Sequence, residues 1–348
     1  MESYAAKRKV SPDEILKLLE KGIFFHEILE NALLFMHEEQ NALSKLSREK
    51  RDQAFPERSV EVRSVLEISN ICQQGCNYCS MGKKMSFQKY TIDESSLLSL
   101  MEFLYQKGRR VLLLQSGEND DPKYIDMVSL CVEKIKKIHE DLVIILCLGN
   151  LSREQYFQLR RAGADRYVLK FESSNPLIYN NAKPNDTFNN RMKCIEYVME
   201  AGFILGSGNI VGLPGQTIPD IADDLLFMHR YNLGMNSTTV FIPAEYSVYR
   251  NEPYGNVDVT LNTMALMRIM NPRRLMPTTS SLEKAKKGCQ LLGLEAGANT
   301  VTVHDGTPEE FRSCFPIYSV KRVAPKSEHF ADIVKKAYLK MSKDALYV

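Results

Sequence analysis

Ser64-Val65-Leu66-Glu67-Ile68-Ser69-Asn70-Ile71-Cys72-Gln73-Gln74-Gly75-Cys76-Asn77-Tyr78-Cys79 runs from a short apolar strand straight into a loop of three cysteines. The spacing Cys-x₃-Cys-x₂-Cys holds three thiolates close enough to grip three irons of a [4Fe–4S] cube. It leaves the fourth iron without a protein ligand, where a closed electron-transfer cluster would take four cysteines. An open iron can hold a substrate or cofactor directly. A zinc site would want a fourth Cys or His, and none of the six histidines lies in or beside the loop. A disulfide framework would need paired spacings and an oxidising compartment. The other cysteines, Cys131, Cys147, Cys194, Cys289 and Cys314, stand singly.

Outward from this loop, short apolar strands alternate with longer amphipathic segments, the pattern of βα repeats. Eight strands are predicted: Ser64–Asn70, Arg110–Ser116, Val143–Leu148, Arg166–Lys170, Phe203–Val211, Asn236–Ile242, Arg274–Thr279 and Thr300–His304. The strings Thr91-Ile92-Asp93-Glu94, Ser152-Arg153-Glu154-Gln155 and Thr307-Pro308-Glu309-Glu310 have capping-box form and should open helices. The expected fold class is α/β, a (β/α)₈ TIM-type barrel; a six-unit partial barrel is the alternative. Residues 1–60 read as an N-terminal helical cap, opened at Ser11-Pro12-Asp13-Glu14. The barrel then covers 61–320, and 321–348 forms a tail with a helix from Glu328 to Met341.

Lys+Arg 45 against Asp+Glu 43 leaves no basic stripe for nucleic acid. No apolar run of about 18 residues suggests a membrane span, and Met1–Lys9 lacks the apolar centre of a signal peptide. Isolated cysteines suit a reducing cytoplasm, and an open cluster suits an anaerobic host. A monomer is expected.

In a parallel barrel, chemistry gathers where strands end and loops begin. Strand two ends in Gln115-Ser116-Gly117-Glu118, where glycine permits close backbone approach and polar neighbours can meet an ammonium or carboxylate. Strand four carries Lys170 and Glu172 to the rim on one face. Read alone, Glu172 has a helix-capping or solvated acid as its alternative, and Arg191 is by default an exposed helix arginine. Strand five is rich in glycine from Gly206 to Gly215 and places Ile210 near its end. It lacks the glycine pattern of a dinucleotide site. His304 and Asp305 close strand eight, where proton transfer, substrate contact or a plain turn cap are all open.

The cysteine loop, with its aromatic residue before the last cysteine, resembles the signature of radical S-adenosylmethionine (SAM) enzymes. Further strings follow in order: Leu114-Gln115-Ser116-Gly117-Glu118, Ala162-Gly163-Ala164-Asp165-Arg166-Tyr167, Val211-Gly212-Leu213-Pro214-Gly215-Gln216-Thr217, Phe241-Ile242-Pro243 and Pro277-Thr278-Thr279. Together they make residues 10–320 similar to one radical SAM subgroup. It holds the [FeFe]-hydrogenase maturase HydE, methylornithine synthase and the [Fe]-hydrogenase cofactor biosynthesis protein HmdB, with biotin synthase more distant.

The resemblance implies that Cys72, Cys76 and Cys79 ligate a [4Fe–4S] cluster and that SAM chelates its open iron. Tyr78, Gln115, Ser116, Gly117, Glu118, Glu172, Arg191 and Ile210 would surround SAM. Reductive cleavage would give methionine and a 5′-deoxyadenosyl radical, with flavodoxin or ferredoxin as electron donor. Arg63, Lys170, Thr278 and Thr279 resemble the maturase's anion-binding positions, which implies a small, carboxylate-bearing substrate, with His304 at the same mouth.

Departures steer the reading within the subgroup. Ser80 stands where glycine is usual, and Ala244-Glu245-Tyr246-Ser247-Val248-Tyr249 replaces an expected histidine-containing loop. No second cysteine cluster occurs. Thr279-Ser280-Ser281-Leu282 lacks the ligands expected of methylornithine synthase. These differences favour assembly of the guanylylpyridinol iron cofactor, then a HydE-type maturase, then a methylornithine-synthase-like mutase. Outside this class stand a non-catalytic iron–sulfur scaffold, which would not cleave SAM, and a zinc-stabilised barrel, which would be colourless.

Overall fold

The computed structural model describes residues 10–82, 87–231, 233–315, 317 and 327–347. Seven parallel strands form the wall of the barrel: β1 (Ser59–Ser69), β2 (Val111–Ser116), β3 (Val143–Cys147), β4 (Arg166–Val168), β5 (Ile204–Val211), β6 (Met235–Val240) and β7 (Thr300–Val303). Their spatial order is β6-β5-β4-β3-β2-β1-β7. The predicted strand at Arg274–Thr279 is reduced to two isolated parallel bridges, Met235 to Leu275 and Pro277 to Thr300. These still close the ring: Asn236 N donates to Leu275 O at 2.9 Å, and Thr278 N donates to Thr300 O at 3.1 Å. The cause of the break is Pro277, which has no N–H to give a ladder.

β1 is buried along nearly its whole length, as expected of a strand covered on both faces. Glu61 and Arg63 are buried polar residues of β1, and Arg63 lines the barrel cavity. Val62, Leu66 and Ile68 join the main apolar core with the surrounding helices, as a period of two requires. A smaller inner core of Val111, Val143, Ile145, Met235 and Leu275 is joined by Ala345.

Three helices precede the barrel: α1 (Pro12–Glu20), α2 (His26–Leu33) and α3 (His37–Ala54). They lie along the helices Ile218–Arg230, Val257–Met270 and Cys289–Glu295. Arg51 of α3 donates to Leu294 O at 2.7 Å, near the start of β7. At the other end of the chain, the helix Ser327–Lys336 stops well before Met341. Lys340 and Met341 instead pair with Ser59 and Val60 as a short strand. The tail then reaches the base of the barrel, where Leu346 N donates to Glu61 Oε2 at 2.8 Å. The start of the expected tail, 321–326, lies outside the described residues. No described helix is long and apolar enough to cross a membrane.

Candidate active site

Strand direction places the cysteine loop at the mouth, directly after β1. Several hydrogen bonds fix it to neighbouring loops. Gln73 N donates to Glu118 O at 2.8 Å, Asn77 N to Ala182 O at 2.8 Å, and Tyr249 N to Asn77 O at 2.8 Å. Gly117 lies so near that a Cβ there would sit 2.3 Å from Ile71 O and 2.7 Å from the Cys72 Cβ. Only glycine lets the loop after β2 approach the cysteines this closely.

Cys72, Cys76 and Cys79 are half-buried and unpaired, and they line a cavity of about 380 Å³. That volume suits a small molecule. Burial pushes all three thiols up, that of Cys76 to about 11. The metal-free chain therefore keeps these protons at neutral pH, and iron must displace them. A cube offers each thiolate its own iron. Among the described residues no group of three His, Cys, Asp or Glu is placed to hold a single metal ion. The donor set and the glycine cradle fit a cube.

Around the cysteines lies a buried ion network. Glu118 Oε1 accepts from Gln74 Nε2 at 2.7 Å. Its Oε2 faces Arg191 Nη2 at 3.3 Å and Lys183 Nζ at 3.5 Å. Arg191 Nε donates to Tyr179 Oη at 2.8 Å, and Tyr179 donates to Asp186 Oδ2 at 2.5 Å. Burial disfavours the charged Arg191, but Glu118, Tyr179 and Asp186 outweigh it and hold the guanidinium charged. Gly149, at φ 84°, lets Glu118 fold over it, since a Cβ would meet that side chain at 2.1 Å.

Glu172 is pinned between Lys170 Nζ at 3.0 Å and Tyr78 Oη at 3.2 Å. Burial works to raise its carboxyl, yet Lys170, Lys183 and Arg191 outweigh it and hold it below the usual carboxylate range. Ile210 packs with Leu213, Phe241, Tyr78 and Tyr249. Deeper, Arg63 Nε donates to Glu61 at 2.7 Å, while its buried Nη2 has no partner among the described residues. His304 Nδ1 lies 3.3 Å from the buried Glu67.

Of the residues expected at the site, Cys72, Cys76, Tyr78, Cys79, Gln115, Ser116, Gly117, Glu118, Lys170, Glu172, Arg191, Ile210, Arg63, Thr279 and His304 all line this cavity. Thr278 does not: its Oγ1 turns away to donate to Gln290 O at 2.7 Å. Sequence reasoning missed Lys183 and Cys147, which also line the cavity. It also missed Tyr179 and Asp186, which grip Arg191. Asp186 precedes the helix cap Thr187 and reads in sequence as an ordinary turn acid, so no local signal marked it.

The radical SAM superfamily model matches residues 66–228. The [FeFe] hydrogenase maturase subunit HydE of Thermotoga maritima is 35% identical over 311 residues, covering 88% of each chain. The chain belongs to the radical SAM superfamily. It is thus an enzyme with the superfamily's cofactors, a [4Fe–4S] cluster and SAM. Two solved structures share this radical SAM fold at TM-score 0.78 and 19% identity. Methylornithine synthase covers 94% of this chain, with 97% of its own length matched. The FeFe-hydrogenase maturase HydG of Carboxydothermus hydrogenoformans also covers 94%, with 78% of its own length matched.

Proposed function

We propose that this chain reductively cleaves SAM and uses the product on a small anionic substrate during assembly of a hydrogenase metal cofactor. When bound, the cluster and SAM together supply a 5′-deoxyadenosyl radical on one-electron reduction. Cys72, Cys76 and Cys79 hold the cluster. Gln115, Ser116, Gly117 and Glu118 face the methionine end of SAM, while Tyr78, Glu172 and Ile210 flank its nucleoside. Arg191 and Lys183 hold the Glu118 carboxylate in place, so that it can accept from an ammonium group. The substrate sits deeper, between Lys170, Thr279 and Arg63, with His304 beside it.

The observation that carries the substrate class is Arg63 Nη2, a buried guanidinium nitrogen on the cavity wall with no partner among the described residues. A buried donor left unmade costs about 1–3 kcal/mol, and a carboxylate would recover it. Anaerobic reconstitution with iron and sulfide, followed by SAM and dithionite, tests the reaction. Formation of 5′-deoxyadenosine is expected, and its absence at full cluster occupancy would sink the proposal in favour of a scaffold.

The loop Ala244–Tyr249 and the strand end at His304 favour the guanylylpyridinol branch as the place of action. The 35% identity to HydE supports the maturase branch as a second reading. Substitution of this chain for HydE in a reconstituted [FeFe]-hydrogenase activation mixture separates them. Activation would select the maturase branch, and failure by a SAM-cleaving preparation would select the other. Flavodoxin or ferredoxin is the proposed electron donor.

A further inference from the structure

Glu172 is fastened from behind the barrel as well as from within it. Its backbone has φ 61°, a left-handed conformation that costs a residue with a Cβ on the order of 1 kcal/mol. On β5, Gly208 O accepts from Glu172 N at 3.0 Å, and Ile210 N donates to Glu172 O at 2.8 Å. The chain then turns at Ser173 and Ser174, and there a wholly buried carboxylate of the helix Ile218–Arg230 takes hold. Asp224 Oδ1 accepts from Ser174 N at 2.6 Å and Ser174 Oγ at 2.7 Å. Its Oδ2 accepts from Asn209 Nδ2 at 2.9 Å and Gln216 Nε2 at 3.4 Å. Gln216 in turn accepts from Gly212 N at 2.7 Å.

One side chain thus ties together the segment after Glu172, the strand residue beside Ile210, and the turn that ends β5. Among the described residues no cation lies at ion-pair distance from Asp224. A buried carboxylate without a cation is costly, and an apolar residue would pack the same helix against the sheet without that cost. The role of Asp224 therefore lies in the hydrogen bonds it accepts. Burial pushes its carboxyl up to about 7, which agrees with so unpaired a setting.

We propose that Asp224 is a positioning residue for SAM, holding the strand ends that carry Glu172 and Ile210 at the spacing the nucleoside needs. This rests on the reading above that Glu172 and Ile210 contact SAM. It assigns Asp224 no contact with SAM itself.

The test measures SAM affinity by equilibrium dialysis on the reconstituted enzyme, together with amide hydrogen exchange of segment 171–177 in the metal-free protein. Asp224→Ala should weaken SAM binding about tenfold or more, the scale of one or two lost buried hydrogen bonds. Its 5′-deoxyadenosine rate at saturating SAM should stay within about twofold, a KM rather than a kcat effect. Exchange in 171–177 should quicken. Asp224→Asn, which keeps the oxygen that faces Ser174 but turns an NH₂ toward the Asn209 and Gln216 donors, should recover part of the affinity. A folded Asp224→Ala with unchanged SAM affinity overturns the proposal, as does an equal loss in both variants accompanied by equal drops in melting temperature. Should Asp224→Ala fail to fold, Ser174→Ala decides: a severalfold weaker Kd supports the proposal and an unchanged one overturns it. Glu172→Gln separates the two levels. Unchanged SAM affinity in that variant removes the parent reading, whereas weakened affinity there with none in Asp224→Ala removes only the present inference.

Discussion

Two buried charge clusters occupy the same barrel at different depths, and they are built differently. At the mouth, Glu118, Glu172 and Asp186 alternate with Lys170, Lys183 and Arg191, so that each carboxylate has a cation within 4.0 Å. Near the base, the single carboxylate of Glu61 serves both Arg63 and Arg166 and also accepts from Leu346 N. The mouth is balanced, and can receive a zwitterionic amino acid group without rearranging. Among the described residues the base carries one guanidinium more than Glu61 can neutralise, and Arg63 Nη2 has no hydrogen-bond partner. On the proposed reading, the balanced mouth is the frame for SAM and the unbalanced base is where an anionic substrate would bind.

Breaking the mouth should cost most. Cys76→Ala is expected to abolish both iron incorporation and SAM cleavage, since three thiolates are the minimum for this open cube; iron and sulfide analysis beside a 5′-deoxyadenosine assay checks it. Arg191→Met would leave Glu118 and Asp186 buried with only Lys183 nearby. A loss of about 3–5 kcal/mol is expected, read from the denaturant midpoint of the metal-free protein. Arg63→Met should be far milder, at about 1 kcal/mol or less, because Glu61 keeps Arg166 and Leu346 N. SAM cleavage should persist while substrate turnover falls. Equal destabilisation by Arg191→Met and Arg63→Met would show that the two clusters do not differ in the way argued.

The two regions also differ in how far the sequence announces them. The cysteine loop, Gly117, Glu172 and Ile210 were legible as residues of the cavity wall because each sits in a contiguous string at a strand end, where local chemistry and topology coincide. Tyr179, Lys183 and Asp186 were not, because Arg191 meets Glu118 across 73 residues and only the closed barrel brings them together. Thr307 shows the same limit from the other side. Its string has capping-box form, but its Oγ1 accepts from Glu67 N at 3.0 Å, and a 3₁₀ turn without a side-chain cap follows. The strand at Arg274–Thr279 was read from apolar content, and Pro277 limited it to bridges. Lys340 and Met341 pair with β1 over just two residues, too few for any periodicity to register.

Asp224 sharpens the comparison at the smallest scale, because it is a buried carboxylate with neither a balanced nor an unbalanced set of cations. Glu172 and Asp186 are held below the usual range. The stability they contribute is present above the unfolded carboxylate pKa of about 4 and is lost as pH falls through their folded values. Asp224 has the opposite sign. Its folded pKa of about 7 lies above an unfolded value of about 3.9, so the folded chain binds the extra proton. Its contribution is complete below about pH 4 and drains away as pH rises towards 7, by at most about 1.4 kcal/mol per pH unit. Asp224→Asn should remove that slope while leaving the acid limb below pH 4 to the mouth carboxylates. Urea midpoints of both proteins at intervals from pH 4 to 8 check this, with the difference between them cancelling the histidines common to both. Parallel curves would mean that Asp224 titrates alike in the folded and unfolded chains, so that its hydrogen bonds fully offset its burial.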